Sequence, residues 1–170
     1  MPKEIENVVG LDFSMNTLYV DSEGKRANYP RFYRQALEKL VRAQRVLSRL
    51  RKGSNRWHKQ RRKVAKLHEK IANQRQDFLH KASRQLTNRY DAVVIEDLNM
   101  KGMAQALRFG QSVHDNGWGL FTTFLQYKLE EQGKKLIKID KWFPSSKTCS
   151  CCGRVKASLS LTERQFRCEC

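Results

Sequence analysis

The sequence predicts an α/β fold in which a mixed sheet carries an inserted basic helical hairpin and ends in a cysteine module. Three observations carry this. Apolar runs of strand length occur near the N-terminus, at 92–98 and at 136–139. Two long segments after the first of them repeat at helical spacing, and all five cysteines lie beyond residue 148. A chain of 170 residues buries one good core, with room for a small appendage but not for a second full domain.

The elements follow in order. Residues 7–13 (NVVGLDF) and 17–20 read as two strands, and Asp21-Ser22-Glu23-Gly24 turns the chain toward a possible third short strand at 25–29, closed by Pro30. From Arg31 the period changes. Ala36, Leu40, Ala43, Leu47 and Leu50 form the seam of an amphipathic helix. Gly53-Ser54-Asn55 interrupts it, with Ser54 or Asn55 as N-cap of the next helix, whose seam runs through Trp57, Gln60, Val64, Leu67, Ile71, Gln74 and Phe78. Two antiparallel helices forming a hairpin are the simplest arrangement. Residues 92–98 (AVVIEDL) have the continuous apolar character of a strand buried on both faces. Residues 102–116 read as a loop, and 118–131 as a helix with apolar residues at 118, 121, 124, 125 and 129, stopped by Gly133. A last strand is expected at 136–139. Adjacent early strands favour a mixed over a purely parallel sheet.

The net charge is +17, and its distribution is uneven. Residues 31–89 hold nineteen Lys and Arg against Glu38, Glu69 and Asp77. An ordinary solvated face would intersperse acids, so this segment is expected to face a polyanion. Its candidate phosphate-binding residues are Arg42, Arg45, Arg49, Arg51, Lys52, Lys59, Arg61, Arg62, Lys63 and Lys66. No run approaches the roughly 20 apolar residues of a membrane helix, and residues 1–10 lack the basic-then-apolar order of a secretory leader. The expectation is a soluble cytoplasmic protein with no membrane partner, nucleoid-associated in a prokaryote.

Asp12 follows VVGL and Glu96 follows VVI, each at the end of an apolar strand. If the two strands are parallel neighbours, the carboxylates converge at one edge of the sheet, where open α/β folds place their sites. Such a pair can hold Mg²⁺ and support phosphodiester hydrolysis. The alternatives are that Asp12 caps the turn at Ser14-Met15-Asn16 and that Glu96 or Asp97 merely solvates a strand end. Alternation puts Asp97 and Asn99 on the face opposite Glu96.

Cys149-Ser-Cys-Cys152-Gly contains a CxxCG knuckle, and Cys168-Glu-Cys170 follows after a segment with Leu159, Leu161 and Phe166 to fill a tiny core. Four thiolates so spaced bind Zn²⁺ in a ribbon, which is favoured over a disulfide or buried thiols. Cys170 is the doubtful fourth ligand, because the second pair is spaced CxC, and Cys151 is read as a bystander.

The stretches VVGLDFSMNTLYV, LSRLRKGSNRWHKQRRKVAKLHEKIANQRQDFLHKAS, YDAVVIEDLNMKGM, DNGWGLF and FPSSKTCSCCG resemble the OrfB/TnpB proteins of insertion-sequence transposons, relatives of the compact type V CRISPR nucleases. The resemblance implies an RNase H-like (RuvC) fold, split by inserted helices and a zinc ribbon, in an RNA-guided DNA endonuclease with guide RNA and DNA as partners. It implies three catalytic carboxylates with Mg²⁺ (or Mn²⁺). Asp12 in GLDFSMN matches the first acid and Glu96 in VIEDLN the second. Cys149 and Cys152 match the first zinc knuckle, and Cys168 matches the third ligand. The pattern's fourth cysteine would fall one position after Cys170, and its third acid beyond that. The implied organisation is a RuvC-like domain over 1–143, with the basic hairpin at 31–89, and an incomplete zinc ribbon over 144–170. The 170 residues are therefore expected to be a piece of a longer protein, whether an engineered piece, a partial gene or the remnant of a decayed element, and to cleave little or no DNA alone. The competing readings are a non-catalytic nucleic-acid-binding module and, disfavoured by the ribbon, a strand-joining transposase that shares the fold.

Overall fold

A computed structural model describes residues 5–106, 115–140, 142–149, 151–158 and 167–170. Its elements are β1 (Val8–Phe13), β2 (Tyr19–Asp21), α1 (Phe32–Arg49), α2 (Asn55–Arg89), β3 (Ala92–Glu96), α3 (Met100–Ala106), α4 (Trp118–Glu131) and β4 (Lys135–Ile139), then a 3-10 turn at Ser145–Lys147. The four strands form one mixed sheet in the order β2-β1-β3-β4. β1 pairs antiparallel with β2 and parallel with β3, and β3 pairs parallel with β4. The third early strand reduces to a single bridge between Val20 and Arg26.

Strand alternation sorts the sheet into two unlike faces. Val9, Leu11, Val93 and Ile95 are buried and join Leu79, Ala82 and Leu86 of α2 and Trp118, Phe121, Leu125 and Leu129 of α4 in the core. Phe121, Leu125 and Leu129 are fully buried, each contributing about 1.5–3 kcal/mol by leaving water. On the other face Val94 and Glu96 are half-buried, and Val8 and Ile137 are exposed. The expectation of a β3 covered on both faces is thus corrected. Its helix side is sealed, and the side carrying Glu96 is open.

The long α2 has two characters. Ser54 caps it, its Oγ accepting from the Trp57 N–H at 3.2 Å, and the helix then runs 35 residues, roughly 52 Å, without Gly or Pro. Its first half packs along α1, where the seam of Ala36, Leu40, Ala43 and Leu47 meets Trp57, Gln60, Val64, Leu67 and Ile71. Its second half lies under the sheet. There the expected seam shifts by one residue, so Gln74 is exposed and Arg75 turns inward to pair with buried Asp115 at 3.6 Å.

Two further expectations change. The helix α3 takes in residues 102–106 of the expected loop and is started by Asn99, whose Oδ1 accepts from the Gly102 N–H at 3.0 Å. Asp115 and Asn116, at its far end, are buried, and the Asn116 amide donates to the carbonyls of Ser14 and Thr17 at 2.9 and 2.8 Å. The middle of that loop, 107–114, and Leu159, Leu161 and Phe166 of the expected ribbon core lie outside the described residues. Gly133, with φ of 67°, ends α4 as expected.

Candidate functional site

The parallel register of β1 and β3 pairs Leu11 with Ile95. The next residues, Asp12 and Glu96, leave the sheet at one level on adjacent strands, about 4.8 Å apart in backbone spacing. With Gly10, Val20, Val94 and Ile139 they line an open cleft of about 280 Å³ on the uncovered face. Burial, then the Glu96 charge, pushes the Asp12 carboxyl above its ordinary value, opposed by a hydrogen bond from the Phe13 backbone. The turn at 14–16 does not use Asp12, because Ser14 closes it, its Oγ accepting from the Thr17 N–H at 3.4 Å. Asp97 lies past the end of β3, its N–H donating to the Ile139 carbonyl at 3.0 Å. Asn99 serves as the α3 cap, so strand alternation no longer decides where it points.

Sequence reasoning did not single out Ser145. Its hydroxyl donates to Glu96 Oε1 at 2.9 Å, from the 3-10 turn four residues before Cys149. A carboxylate so held keeps its second oxygen for another ligand. The signal was the polar pair in FPSSKTC, midway between a strand end and the knuckle.

The cysteine module closes on itself. Gly153, with φ of 72°, allows the tight turn in which its N–H bonds the Cys149 carbonyl at 3.0 Å, and Thr148 bridges Val155. The Sγ atoms of Cys149, Cys152, Cys168 and Cys170 all lie within 4.8 Å of one another, and the Cys149–Cys170 and Cys152–Cys168 pairs are both at 3.6 Å. Tetrahedral Zn²⁺ with bonds of about 2.3 Å requires sulfurs about 3.8 Å apart, so the four thiols fit it. Backbone hydrogen bonds from Cys152 and Cys151 draw the Cys149 thiol down to about 6, favouring the thiolate a metal needs. Cys170, whose thiol is pushed up to about 12 by hydrogen bonding with Cys149, Cys168 and Cys152, occupies the fourth corner. Cys151 is exposed and outside the group.

All ten basic residues expected to bind phosphate are exposed. Arg42, Arg45 and Arg49 follow one another at 3-4 spacing along α1, and Lys59, Arg62, Lys63 and Lys66 do so along α2. Arg42 pairs loosely with Glu38 at 3.8 Å, and the Arg61 guanidinium lies 5.7 Å from the centre of the Trp57 ring. A buried cation escaped the sequence reading. Lys128 of α4 is 2% exposed, donating to the His80 carbonyl at 2.9 Å and to Ser83 Oγ at 2.7 Å. Burial, then the Arg84 charge, lowers its pKa. It bolts α4 to α2.

Residues 1–107 match the family OrfB_IS605, described as "Probable transposase". The chain belongs to this OrfB/TnpB family. Residues 118–170 match the Cas12f1-like TNB domain. A Streptomyces pristinaespiralis relative named "Putative RNA-guided DNA endonuclease" is 39% identical over 95% of this chain, and the chain spans 40% of its length. The Escherichia coli (strain K12) relative named "Putative RNA-guided DNA endonuclease InsQ" is 31% identical over 96% of the chain, which spans 44% of its length. The chain is thus less than half as long as the OrfB/TnpB relatives it matches. Among solved structures, a Cas12f1-sgRNA-target DNA complex aligns with a TM-score of 0.55 at 16% identity over 90% of this chain and 40% of that one. A CRISPR-Cas12f ternary complex gives the same TM-score at 18% identity over 91% and 33%. At these identities the likeness shows the fold.

Proposed function

We propose that this member of the OrfB/TnpB family carries two of the metal-holding carboxylates of a RuvC-like nuclease, and that the longer protein is an RNA-guided DNA endonuclease. The observation that carries this reading is the parallel register that sets Asp12 beside Glu96 at the open edge of the sheet. Two like charges there, with Asp12 already disfavoured as an anion, suit a divalent oxygen-seeking cation, Mg²⁺ or Mn²⁺. Such an ion, when bound, would lower the pKa of an attacking water and stabilise the leaving oxygen of a phosphodiester. Asp12 and Glu96 would hold it, with Glu96 oriented by the Ser145 hydroxyl. The exposed cations from Arg42 to Lys66 hold backbone phosphates of DNA or guide RNA.

Within this reading, residues 1–143 form the RuvC-like domain, 31–89 its inserted hairpin, and 144–170 a zinc ribbon held by Cys149, Cys152, Cys168 and Cys170. The test is Mn²⁺ binding followed by electron paramagnetic resonance. The 170-residue chain should bind Mn²⁺ weakly, and D12A or E96A should each reduce affinity about tenfold or more. In the longer protein the same variants should abolish metal-dependent nicking. Nicking that survives both substitutions would sink the proposal. Exposure of all ten candidate phosphate-binding cations of the hairpin favours a second, compatible role in which the chain binds nucleic acid without cutting it. That binding should weaken steeply with salt.

A further inference from the structure

A second cavity, of about 500 Å³, opens at the β2 edge of the sheet on the side of α2, and among the described residues it shares only Asp21 with the carboxylate cleft. One wall is the chain from Lys25 to Asn28, held against β2 by bonds from the Leu18 N–H to the Ala27 carbonyl at 2.8 Å and from the Ala27 N–H to the Tyr19 carbonyl at 3.1 Å. The other wall is one face of α2, where Phe78, Lys81, Ala82, Gln85, Leu86 and Arg89 recur at helical spacing. Both walls are fixed by elements that pack into the core, so the cavity is built without a ligand.

Its chemistry is divided. Phe78, Ala82 and Leu86 make an apolar side, while Lys25, Arg26, Lys81 and Arg89 face it against Asp21 alone. Asp21 is already engaged, its Oδ1 accepting from the N–H groups of Glu23 and Lys25 at 3.0 and 2.7 Å. Lys25 and Arg89 lean on Glu23, and Lys81 on Asp77 at 2.7 Å, in exposed pairs that hold weakly. Among the described residues the Arg26 guanidinium and the Gln85 amide have no hydrogen-bond or ion-pair partner. The Tyr19 hydroxyl also lacks a hydrogen-bond partner among them, although the residue is only 8% exposed. Burial, then the charges of Asp21 and Tyr90, pushes its pKa up to about 12, so it remains a neutral donor at physiological pH. A buried donor that the protein leaves unbonded is one a ligand can satisfy.

We infer that this cavity binds a nucleotide unit, with its base on the apolar side formed by Phe78, Ala82 and Leu86 and its phosphate at Arg26 and the neighbouring cations. The volume falls within the range of small-ligand sites, which pair an apolar lining with a few placed polar groups. A bare phosphate would leave the apolar side unused, and an apolar ligand would strand the cations. A nucleotide uses both. The Gln85 amide can donate and accept, and with the Tyr19 hydroxyl it suits the edge of a base. Arginine suits a phosphate, which it can grip with two parallel hydrogen bonds. The unit can be a free nucleotide or one nucleotide of a strand turned out of its stack. The site goes beyond the carboxylate reading and does not rest on it.

The experiment titrates the 170-residue chain with AMP, adenosine and ribose 5-phosphate by calorimetry, and follows the methyl resonances of Ala27 and Ala82, which line the cavity, by nuclear magnetic resonance. AMP should shift both methyls and bind about tenfold or more tightly than adenosine or ribose 5-phosphate. R26A should weaken AMP about tenfold, the scale of one charge-assisted hydrogen bond. R56A, which removes an exposed cation near the start of α2, should leave AMP affinity within about twofold. Y19F keeps the ring and loses only the hydroxyl, so it should weaken AMP about fivefold with unchanged circular dichroism. A ten-nucleotide oligo(A) separates the two sources. If it displaces AMP from the methyls, the cavity accepts a nucleotide within a strand; if it binds and leaves the AMP shifts in place, the ligand is a free nucleotide. Four results overturn the inference: AMP that moves neither methyl, ribose 5-phosphate as tight as AMP, adenosine as tight as AMP, or equal losses for R26A and R56A. In each of these the Mn²⁺ titration of Asp12 and Glu96 judges the carboxylate reading separately.

Discussion

The two candidate metal centres are built in opposite ways. Asp12 and Glu96 are 84 positions apart and meet because two strands are hydrogen-bonded in register over a core sealed by Phe121 and Leu125. The four cysteines fall within 22 residues and meet through a glycine turn and a short bridge, with only Cys149 buried. The carboxylate pair is therefore preorganised by packing, and a metal there would add chemistry to a site that is already built. The cysteine centre has little packing of its own among the described residues, so a metal there would supply folding energy outright.

The largest expected effect separates the two. C152S should lower Zn²⁺ affinity by on the order of a hundredfold or more, read by competition with a chromophoric chelator, because a structural site depends on all four ligands. Sheet and helix content should persist in circular dichroism. If C152S also removes Mn²⁺ binding, the contrast breaks, and the Ser145–Glu96 contact is the strut that joins the centres. Next in size is F121A, which empties a fully buried site and should cost about 3–5 kcal/mol in denaturant unfolding, with Zn²⁺ affinity little changed.

The smallest effect sharpens the electrostatics of the carboxylate pair. The Asp12 pKa is raised in the folded chain, so the fold prefers its protonated form, and stability falls as pH rises through that raised value. D12N removes the titration. It should stabilise the metal-free protein at neutral pH by about 0.5 kcal/mol, the scale of an exposed, screened charge pair. The gain should fade as pH falls through the carboxylate range, and added Mg²⁺ should erase it by favouring the ionised parent. Thermal unfolding across pH, with and without Mg²⁺, checks this. A D12N advantage that grows toward acid would contradict the assignment.

What could be read from sequence follows the same contrast. Strand-end acids and helical seams are local signals, and β1, β3, α1 and α4 lie where those signals put them. The failures occur where a distant partner decides. Arg75 replaces Gln74 on the inner face because Asp115, forty residues on, is there to pair with it. Lys128 is tolerated in the core only because α2 offers the His80 carbonyl and the Ser83 hydroxyl. The supposed loop before α4 hides Asn116, which ties α4 to the β1–β2 turn. Cys170 looked misplaced by one position in the pattern, yet side-chain reach brings its sulfur to the group.

The unbroken course of α2 has one more consequence. Its cations and its core residues share a single rod with no Gly or Pro to bend it, and Leu79 and Leu86 fix that rod against the strands bearing Asp12 and Glu96. Under the proposed nucleic-acid reading, the separation between the cations that would grip a strand and the carboxylates it would meet is measured out by residue count, at about 1.5 Å per residue. The helix acts as a ruler, and its length is written in the gene.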